Sequence, residues 1–587
     1  MPIAPTHPHP AAAAYRAAGH WGAAAVGDGF ARTVARQAAR IAIVDGDRRL
    51  SFADLDAASR RAARGLQALG LGPGDIVAYQ LPNWWETVLV FLAAARLGVT
   101  VNPLLPTFRA AELRFTLRQS GAAALFIPAV YRSCDHRALV QELRGDCPAL
   151  REVVVVRGES LPGLRRFEDL LATPAECGLS HGAAFETPPD EGGSSGRTVG
   201  DIVAADPAVR PEEAALPAGP SRRAPSTPPA VDPDSLLLLM YTSGTSAAPK
   251  GVLHTHNTLV AEVRSLERVH QLTPADRTLM PSPLTHISGV IHGILTPALL
   301  GTSAVLMDRW EAARALELID AEGVTYMVGA PTFLQDLMAQ AEGSGRRAET
   351  LRLFSCGGAG VSPALVAQAR ARFPGCVAKR VYGSTEFPTL TTTDAADALT
   401  HGIDTEGRAI WPAEVRITDA DGRAVPAGTE GEVQGRGPEC CVGYADARLN
   451  AEAFTSDGWF RTGDCGVLDA AGYLRITGRL KDIVVRKGEK ISVKEVEDAI
   501  AAHPAVAEVA VIALPDAQTG ERACAVVRLR SGETLDLDAL RARLAAQGLA
   551  KQKWPESLHV VDEFPRTDSG KIARAELRNR LAASGRS

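Results

Sequence analysis

One loop of the chain carries the side chains that a polyphosphate needs. It reads TSGTSAAPKG, spans Thr242–Gly251 and follows Ser235–Tyr241, an apolar run typical of a fully buried strand. Its hydroxyl and backbone N–H groups can donate hydrogen bonds, its glycine allows close approach of the backbone, and Lys250 adds a mobile positive charge. The spacing is not that of a Walker A loop. The loop therefore predicts phosphate binding, with a plain polar surface turn as the alternative.

The loop resembles the signature loop of the adenylate-forming superfamily, which includes acyl- and aryl-CoA synthetases, luciferases and the adenylation domains of peptide synthetases. That loop usually reads S/T-S/T-G-S/T-S/T-G-x-P-K-G, and Ala247 stands where its second glycine is usual. The segment Leu50–Pro128 also resembles the family's N-terminal part. Further segments resemble the family's later motifs and keep their order: PLTHISG (Pro283–Gly289), SCGGAG (Ser355–Gly360), VYGSTE (Val381–Glu386), WFRTGD (Trp459–Asp464), GRLKDIVVRKGEKI (Gly478–Ile491) and PRTDSGK (Pro565–Lys571).

The resemblance implies a site for ATP and Mg²⁺. Glu386 would hold the Mg²⁺ ion, since hard Mg²⁺ takes carboxylate and phosphate oxygens, and Thr385 would donate to the α-phosphate. The β- and γ-phosphates would be held by the signature loop, through Thr242, Ser243, Gly244, Thr245, Ser246 and Lys250. On the adenosine side, the matching positions are Tyr382 stacked on adenine with Gly383 and Gly358 beside it, and Asp464 and Arg479 on the ribose hydroxyls.

The same resemblance implies roles for the acyl group, for CoA and for a catalytic lysine. His286 and Gly357 would border the acyl substrate, although a satisfied buried histidine is the alternative for His286. Lys481 falls on the family's hinge and Lys571 on its catalytic lysine. Lys487 and Gly488 would meet CoA, with a solvated basic face as the alternative for the lysine.

These matches predict an ATP-dependent carboxylic acid–CoA ligase of the AMP-forming type, which passes through an acyl-adenylate. The general flavour of the sequence favours a medium-chain, alicyclic or aromatic acid. Three alternatives stay open: an enzyme that loads the thiol of a carrier protein, a non-catalytic nucleotide-binding relative, and a kinase or ATPase. The expected small molecules are the acid, ATP, Mg²⁺ and CoA, and the expected assembly is a monomer or homodimer.

The elements that position these residues alternate between short apolar strands and helices, which predicts an α/β protein with parallel sheets. The pattern runs Ile76–Pro82, Trp85–Leu97 and Val99–Leu104 as strand, helix and strand. We expect a large N-terminal domain of βα subdomains with a small β subdomain over 28–480, and a small mobile C-terminal α+β domain over 481–587. Composition predicts a disordered tail over 1–27 and a flexible Pro/Gly-rich insertion over 174–233.

Composition argues against several other classes. The net charge of −5 over 587 residues gives no general basic field for nucleic acid or anionic membranes. The longest apolar stretches are interrupted by Arg96 or by His292 and Pro297, so they predict buried elements instead of a membrane span. The nine cysteines have no zinc-like spacing. With no signal-peptide pattern at the start, these features predict a cytoplasmic protein.

Overall fold

The computed structural model describes residues 11–172, 230–242, 249–480, 483–486, 489–516, 520–566 and 572–584. The predicted insertion lies outside these residues up to position 229. Several predicted site residues also lie outside them: Ser243, Gly244, Thr245, Ser246, Lys481, Lys487, Gly488 and Lys571. The roles assigned to them from the sequence stay predictions.

A seven-stranded sheet contains the strand that leads into the signature loop. Its strands are parallel except for one antiparallel pair at the edge, Leu236–Thr242 with Lys250–Thr255. From that edge the order is Lys250–Thr255, Leu236–Thr242, Thr100–Pro103, Ile76–Tyr79, Ala124–Pro128, Glu152–Val156 and Arg165–Arg166. The helices of this part are Phe52–Ala68, Trp85–Leu97, Ala110–Ser120, His136–Leu143, Phe167–Leu171 and His256–His270, with a short hairpin of Val130–Tyr131 and Cys134–Asp135 and a 3-10 turn at Arg144–Asp146.

The helix Trp85–Leu97 has the bounds that its sequence pattern predicts. It is apolar on nearly all sides, as expected of a helix enclosed by protein, and its residues are buried except for Trp85 and Arg96. It ends at Gly98, whose φ of 68° lies in the left-handed region that favours glycine. Local signals therefore suffice to define this element.

A nine-stranded sheet carries several of the predicted nucleotide motifs. Its central strands are parallel and both of its edges are antiparallel, and an apolar core that includes Leu279, Met327 and Phe354 supports it. The order is Arg408–Ala409, Thr391–Thr392, Val377–Tyr382, Leu353–Cys356, Tyr326–Gly329, Arg277–Met280, Ser303–Leu306, Ile41–Asp45 and Arg48–Ser51. The helices of this part are Val26–Gln37, Ile287–Gly289, a π-helical segment Val290–Leu295, Thr296–Leu300, Ala312–Glu322, Pro331–Ser344, Pro363–Arg372 and Ala395–His401.

Two smaller sheets follow along the chain. An antiparallel sheet consists of Glu414–Thr418, Gly431–Arg436, Phe460–Leu468 and Leu474–Arg479, with short helical turns at Ala447–Leu449 and Asn450–Ala453 before its third strand. The C-terminal sheet consists of Ile483–Arg486, Glu489–Ser492, Val506–Asp516, Gly520–Leu529 and Ser557–Val560, with helices Val493–Ala501, Leu537–Ala546 and Arg574–Ser584 and a 3-10 turn at Lys551–Lys553.

The strand Leu474–Arg479 is the last strand of the small antiparallel sheet. It pairs with Phe460–Leu468 across a short turn. Because adjacent antiparallel strands joined by a short turn pair most readily, the turn after Leu468 assigns this strand to the preceding sheet. The predicted domain boundary near Leu480 stays a prediction.

The structure also differs from the predicted disordered tail over 1–27. Residues 11–27 include a helix over Ala12–Ala17 and the buried Trp21, whose indole Nε1 donates to the Pro438 carbonyl at 3.0 Å. Tyr15 packs on that indole with ring centroids 5.5 Å apart. Burial of the Trp21 ring and partial burial of the Tyr15 ring offset the cost of ordering an alanine-rich segment, an effect that composition does not reveal.

None of the helices in the described part of the chain combines the length and the apolar character needed to cross a membrane. The eight cysteines that fall within the described ranges carry free thiols.

Candidate active site

The candidate site lies where neighbouring parallel strands of the nine-stranded sheet reach their carboxyl ends, the edge at which open α/β sheets bind ligands. These strands are Tyr326–Gly329, Leu353–Cys356 and Val377–Tyr382. Gly357 follows its strand directly and donates its N–H to the Gly329 carbonyl at 3.0 Å. A Cβ at Gly357 would lie 2.5 Å from the Val381 carbonyl oxygen, and Gly358 has a φ of 77°. Both positions of the SCGGAG turn therefore require glycine.

Tyr382, Asp464 and Arg479 form one hydrogen-bonded group. The Tyr382 hydroxyl donates to Asp464 Oδ2 at 2.6 Å, and Arg479 Nε lies 2.9 Å from Asp464 Oδ1. Asp464 and Arg479 face each other on adjacent antiparallel strands of the small sheet. Burial, together with the Asp464 carboxylate, holds the pKa of the Tyr382 phenol well above its usual value, so the hydroxyl stays a donor. The structure thus brings Tyr382 to Asp464, 82 positions later in the chain, and Asp464 to Arg479.

Thr385 and Glu386 lie in a turn whose backbone is held from two sides. The Glu386 carbonyl accepts from the Cys441 N–H at 2.8 Å. The Thr385 carbonyl lies 2.8 Å from Nε2 of His254. The peptide that joins the two predicted phosphate and metal residues is therefore fixed by partners from distant parts of the chain.

His254 presents a single protonation state to that turn. It is fully buried, and burial lowers its pKa to about 4, so the ring is neutral at physiological pH. A carbonyl oxygen can only accept, so Nε2 carries the proton and donates to Thr385. Nδ1 then accepts from the Thr258 hydroxyl, 3.1 Å away. The imidazole is a neutral donor with a fixed orientation.

The strand Lys250–Thr255, which leaves the signature loop, connects that loop to the Glu386 turn. On one side it pairs with Leu236–Thr242, and on the other Val252 forms an antiparallel bridge with Tyr444. The Ala445 N–H donates to the Gly251 carbonyl at 2.7 Å. A Cβ at Gly251 would lie 2.9 Å from a Leu239 methyl carbon, so the close pairing favours glycine.

Lys250 and Glu386 meet through Tyr444. The Tyr444 hydroxyl donates to Glu386 Oε1 at 2.7 Å, and the Lys250 ammonium lies 5.4 Å from the centre of the Tyr444 ring. Burial and the Glu386 carboxylate hold the pKa of the Tyr444 phenol well above its usual value. Thr242, at the other end of the signature loop, pairs with Lys250 in the strand register. A carboxylate and an ammonium group therefore share one corner of the site with Thr242, the first residue of the signature loop.

His286 lies after the strand Arg277–Met280 of the same sheet. Its Nδ1 is 3.0 Å from the Ser288 hydroxyl and it caps the short helix that follows. The preceding turn is anchored by Asn83, whose Oδ1 accepts from the Leu284 N–H at 2.7 Å. Behind the turn the π-helical segment Val290–Leu295 is buried throughout, and π segments frequently occur at functional sites. His286 is therefore placed between a polar turn and an apolar interior.

Gly383, predicted beside the adenine, allows one test of the turn by substitution. A Cβ there would lie 2.1 Å from the Pro388 carbonyl oxygen, a backbone atom that cannot move aside alone. Gly383→Ala is expected to lower the free energy of unfolding by about 1–3 kcal/mol and to weaken ATP use, measured by thermal unfolding and by KM for ATP. Gly343→Ala is the matched control, because no atom lies within 4 Å of that Cβ. Equal behaviour of the two variants would contradict the packing argument.

Three residues with clear contacts in the site were not selected from the sequence: Asn83, His254 and Tyr444. Asn83 and Tyr444 lie in segments without a motif or a period, so no signal identifies them. His254 and His256 stand just after the signature loop, one in a strand and one at the start of the next helix, and two histidines so close together form a weak signal.

Two family models match the chain. The model of the AMP-binding enzyme matches residues 30–445, and the model of the AMP-binding enzyme C-terminal domain matches residues 495–571. Together they cover Tyr382, Glu386 and the position of Lys571, whereas Asp464 and Arg479 lie between the two matched ranges.

Known proteins agree with these matches. The chain is 34% identical to the medium-chain fatty-acid–CoA ligase of Escherichia coli (strain K12), over 96% of this chain and 92% of that protein. It is also 34% identical to a salicylyl-CoA synthase/salicylate adenylyltransferase of a Streptomyces species, over 97% of this chain and 96% of that protein. The crystal structure of ATP-bound MatB from Rhodopseudomonas palustris matches with a TM-score of 0.77 and 25% identity, over 95% of this chain and 99% of that chain.

These findings confirm the predicted α/β fold class and the predicted enzyme class, an acid–thiol ligase of the AMP-forming type. The matched family model covers more than half of the chain, and the relatives are covered over nearly their whole length. The chain therefore belongs to the family of AMP-binding enzymes.

Proposed function

We propose that the protein joins a carboxylic acid to CoA in two steps, with ATP as the activating substrate. In the first step a carboxylate oxygen attacks the α-phosphorus of ATP, the bond from that phosphorus to the pyrophosphate oxygen breaks, and an acyl-adenylate forms. In the second step the CoA thiolate attacks the acyl carbon and AMP leaves with the bridging oxygen. The hydrogen-bonded group of Tyr382, Asp464 and Arg479 at the strand ends carries this proposal.

The group suits an adenosine. A carboxylate oxygen has more than one lone pair, so Asp464 can accept from a vicinal diol while Tyr382 and Arg479 hold it in place. The Tyr382 ring, fixed through its hydroxyl, offers a flat surface for adenine, with Gly358 and Gly383 as the glycines predicted beside the base. Arg479, with a largely exposed side chain, would turn its remaining donors to the ribose.

The residues on the phosphate side fit Mg²⁺ better than a metal held by protein alone. Within the residues that the structure describes, no group of three or more His, Cys, Asp or Glu side chains could hold a metal ion. Mg²⁺ is usually bound by one or two carboxylates together with phosphate oxygens and water. Glu386 would hold such an ion, which would supply charge neutralisation to the phosphates, while Lys250 and Thr385 would donate to phosphate oxygens.

The predicted role of Lys571 completes the first step. An anion must approach the α-phosphate, which is itself anionic, so positive charge near the transferred group lowers the barrier. The ammonium group of Lys571 would act as this electrostatic stabiliser, and a lysine of ordinary pKa is cationic at neutral pH. Movement of the C-terminal domain about Lys481 would then remove Lys571 and bring Lys487 and Gly488 to the incoming thiol.

The acid that we propose is of medium chain length, alicyclic or aromatic. Two observations support an apolar acyl group of this size: the buried segment Val290–Leu295 behind His286, and relatives that are named for a medium-chain fatty acid and for salicylate. We propose free CoA as the acceptor, and the cytoplasm, where free thiols persist, as the location.

An ATP–pyrophosphate exchange screen over aliphatic, alicyclic and aromatic acids tests this function. We expect exchange with at least one acid of six or more carbons, and faster thioester formation with CoA than with a phosphopantetheine carrier protein. Absence of exchange with every acid would contradict the enzyme and favour a non-catalytic relative. Faster transfer to the carrier would contradict CoA as the acceptor.

A further inference from the structure

Tyr444 lies between the two elements that carry the predicted phosphate and metal residues. Its backbone bridges to Val252 of the strand that leaves the signature loop. Its own N–H donates to Asn450 Oδ1 at 2.9 Å, and a Cβ at the preceding Gly443 would lie 2.9 Å from the same side chain. These contacts fix the Tyr444 backbone independently of anything that its side chain touches.

The Tyr444 side chain is directed to two functional groups at once. Only 3% of the residue is exposed, its hydroxyl donates to Glu386 Oε1 at 2.7 Å, and the Lys250 ammonium lies 5.4 Å from the ring centre. A tyrosine that only filled space would need neither contact. The hydrogen bond restricts rotation of the Glu386 carboxylate, and the ring face attracts the ammonium group.

We propose that Tyr444 is a positioning residue that orients the Glu386 carboxylate for Mg²⁺ and keeps Lys250 beside it, an inference that rests on the proposed function. Carboxylates that bind metals are commonly held by a hydrogen bond from a neighbouring group, and loss of that partner typically weakens metal binding by roughly 10- to 100-fold. The chain therefore couples its phosphate-binding lysine to its metal-binding carboxylate through one aromatic ring.

The test is Tyr444→Phe, which removes the hydroxyl and keeps the ring under Lys250. Because Phe conserves the buried volume, we expect the fold to be retained, and thermal unfolding checks this. In the presence of ATP and without acid, binding of Mn²⁺ measured by electron paramagnetic resonance should weaken by roughly tenfold. The Mg²⁺ concentration for half-maximal exchange should rise by a similar factor, with KM for the acid unchanged.

Two further variants separate this inference from the proposed function. Tyr131→Phe is the matched control, since its buried hydroxyl donates to the Asp308 carbonyl at 3.2 Å, and it should leave Mn²⁺ binding unchanged. Glu386→Gln should weaken Mn²⁺ binding at least as much as Tyr444→Phe, and the double variant should be no weaker than Glu386→Gln alone. Unchanged binding in Glu386→Gln would overturn the proposed metal residue itself. Weakened binding in Glu386→Gln with unchanged binding in Tyr444→Phe would overturn only the role of Tyr444.

Discussion

Lys571→Ala is expected to slow adenylate formation by roughly 100- to 1,000-fold, the loss found when one preorganised group is removed from a developing charge. The second step, thioester formation from supplied acyl-adenylate, should stay within about twofold, because Lys571 acts only in the first step under the proposed function. Pyrophosphate exchange measures the first step, and release of AMP from synthetic acyl-adenylate and CoA measures the second.

Lys553→Ala is the matched control for the loss of one positive charge in the C-terminal part of the chain. Lys553 pairs with Glu495 at 2.7 Å on the surface, so its removal should leave both steps unchanged. Equal loss of both steps in Lys571→Ala would contradict the assigned role and indicate a general effect on folding or domain movement.

Asp464→Ala is expected to lower kcat/KM for ATP by roughly 100- to 1,000-fold, which corresponds to about 3–4 kcal/mol. The change removes the acceptor for the ribose hydroxyls, and it also removes the partner that holds the Tyr382 hydroxyl and Arg479. Tyr382→Phe separates the two effects, because it removes one link to Asp464 and keeps both the carboxylate and the ring. Its loss should be smaller than that of Asp464→Ala.

Deoxynucleotides test whether Asp464 contacts the sugar. The wild-type enzyme should use 2′-deoxy-ATP and 3′-deoxy-ATP less well than ATP, since each lacks one hydroxyl donor. Asp464→Ala should show little further loss with either analogue, because effects that act through one contact do not add. If Asp464→Ala loses as much activity on changing from ATP to the deoxynucleotides as the wild-type enzyme does, the ribose contact lies elsewhere.

Sequence signals predicted the elements whose pattern is local. Trp85–Leu97 has the predicted bounds because an apolar helix closed by Gly98 needs no information from other parts of the chain. Fold class and family followed from such elements together with the order of the motifs.

Pairings between distant segments could not be predicted in the same way. Ile41–Asp45 lies beside Ser303–Leu306, in a sheet whose other parallel strands begin more than 200 residues later. The edge strand Lys250–Thr255 was missed because its signal is short and begins in the phosphate loop. Parallel neighbours far apart in the chain leave no local trace, so a single sequence cannot specify them.

The candidate site likewise contains residues that the sequence identifies and residues that only the structure identifies. Residues inside motifs, such as Tyr382, Asp464 and Arg479, were identified through the family resemblance, and the structure places these three in one hydrogen-bonded group. Tyr444 and His254 were missed because their importance comes from the groups that they touch, Glu386 and the Thr385 carbonyl. Contacts of this kind become visible only when the strand after the signature loop is seen to pair with the segment around Tyr444.

The central claim, that an acyl-adenylate precedes the thioester, is tested most directly by following the carboxylate oxygen. A substrate acid labelled with oxygen-18 in its carboxylate is incubated with ATP, CoA and the full-length enzyme. The masses of the products are then measured by mass spectrometry. The account predicts AMP with one labelled oxygen and unlabelled pyrophosphate. Label in inorganic phosphate, with ADP as the nucleotide product, or AMP without label would contradict it.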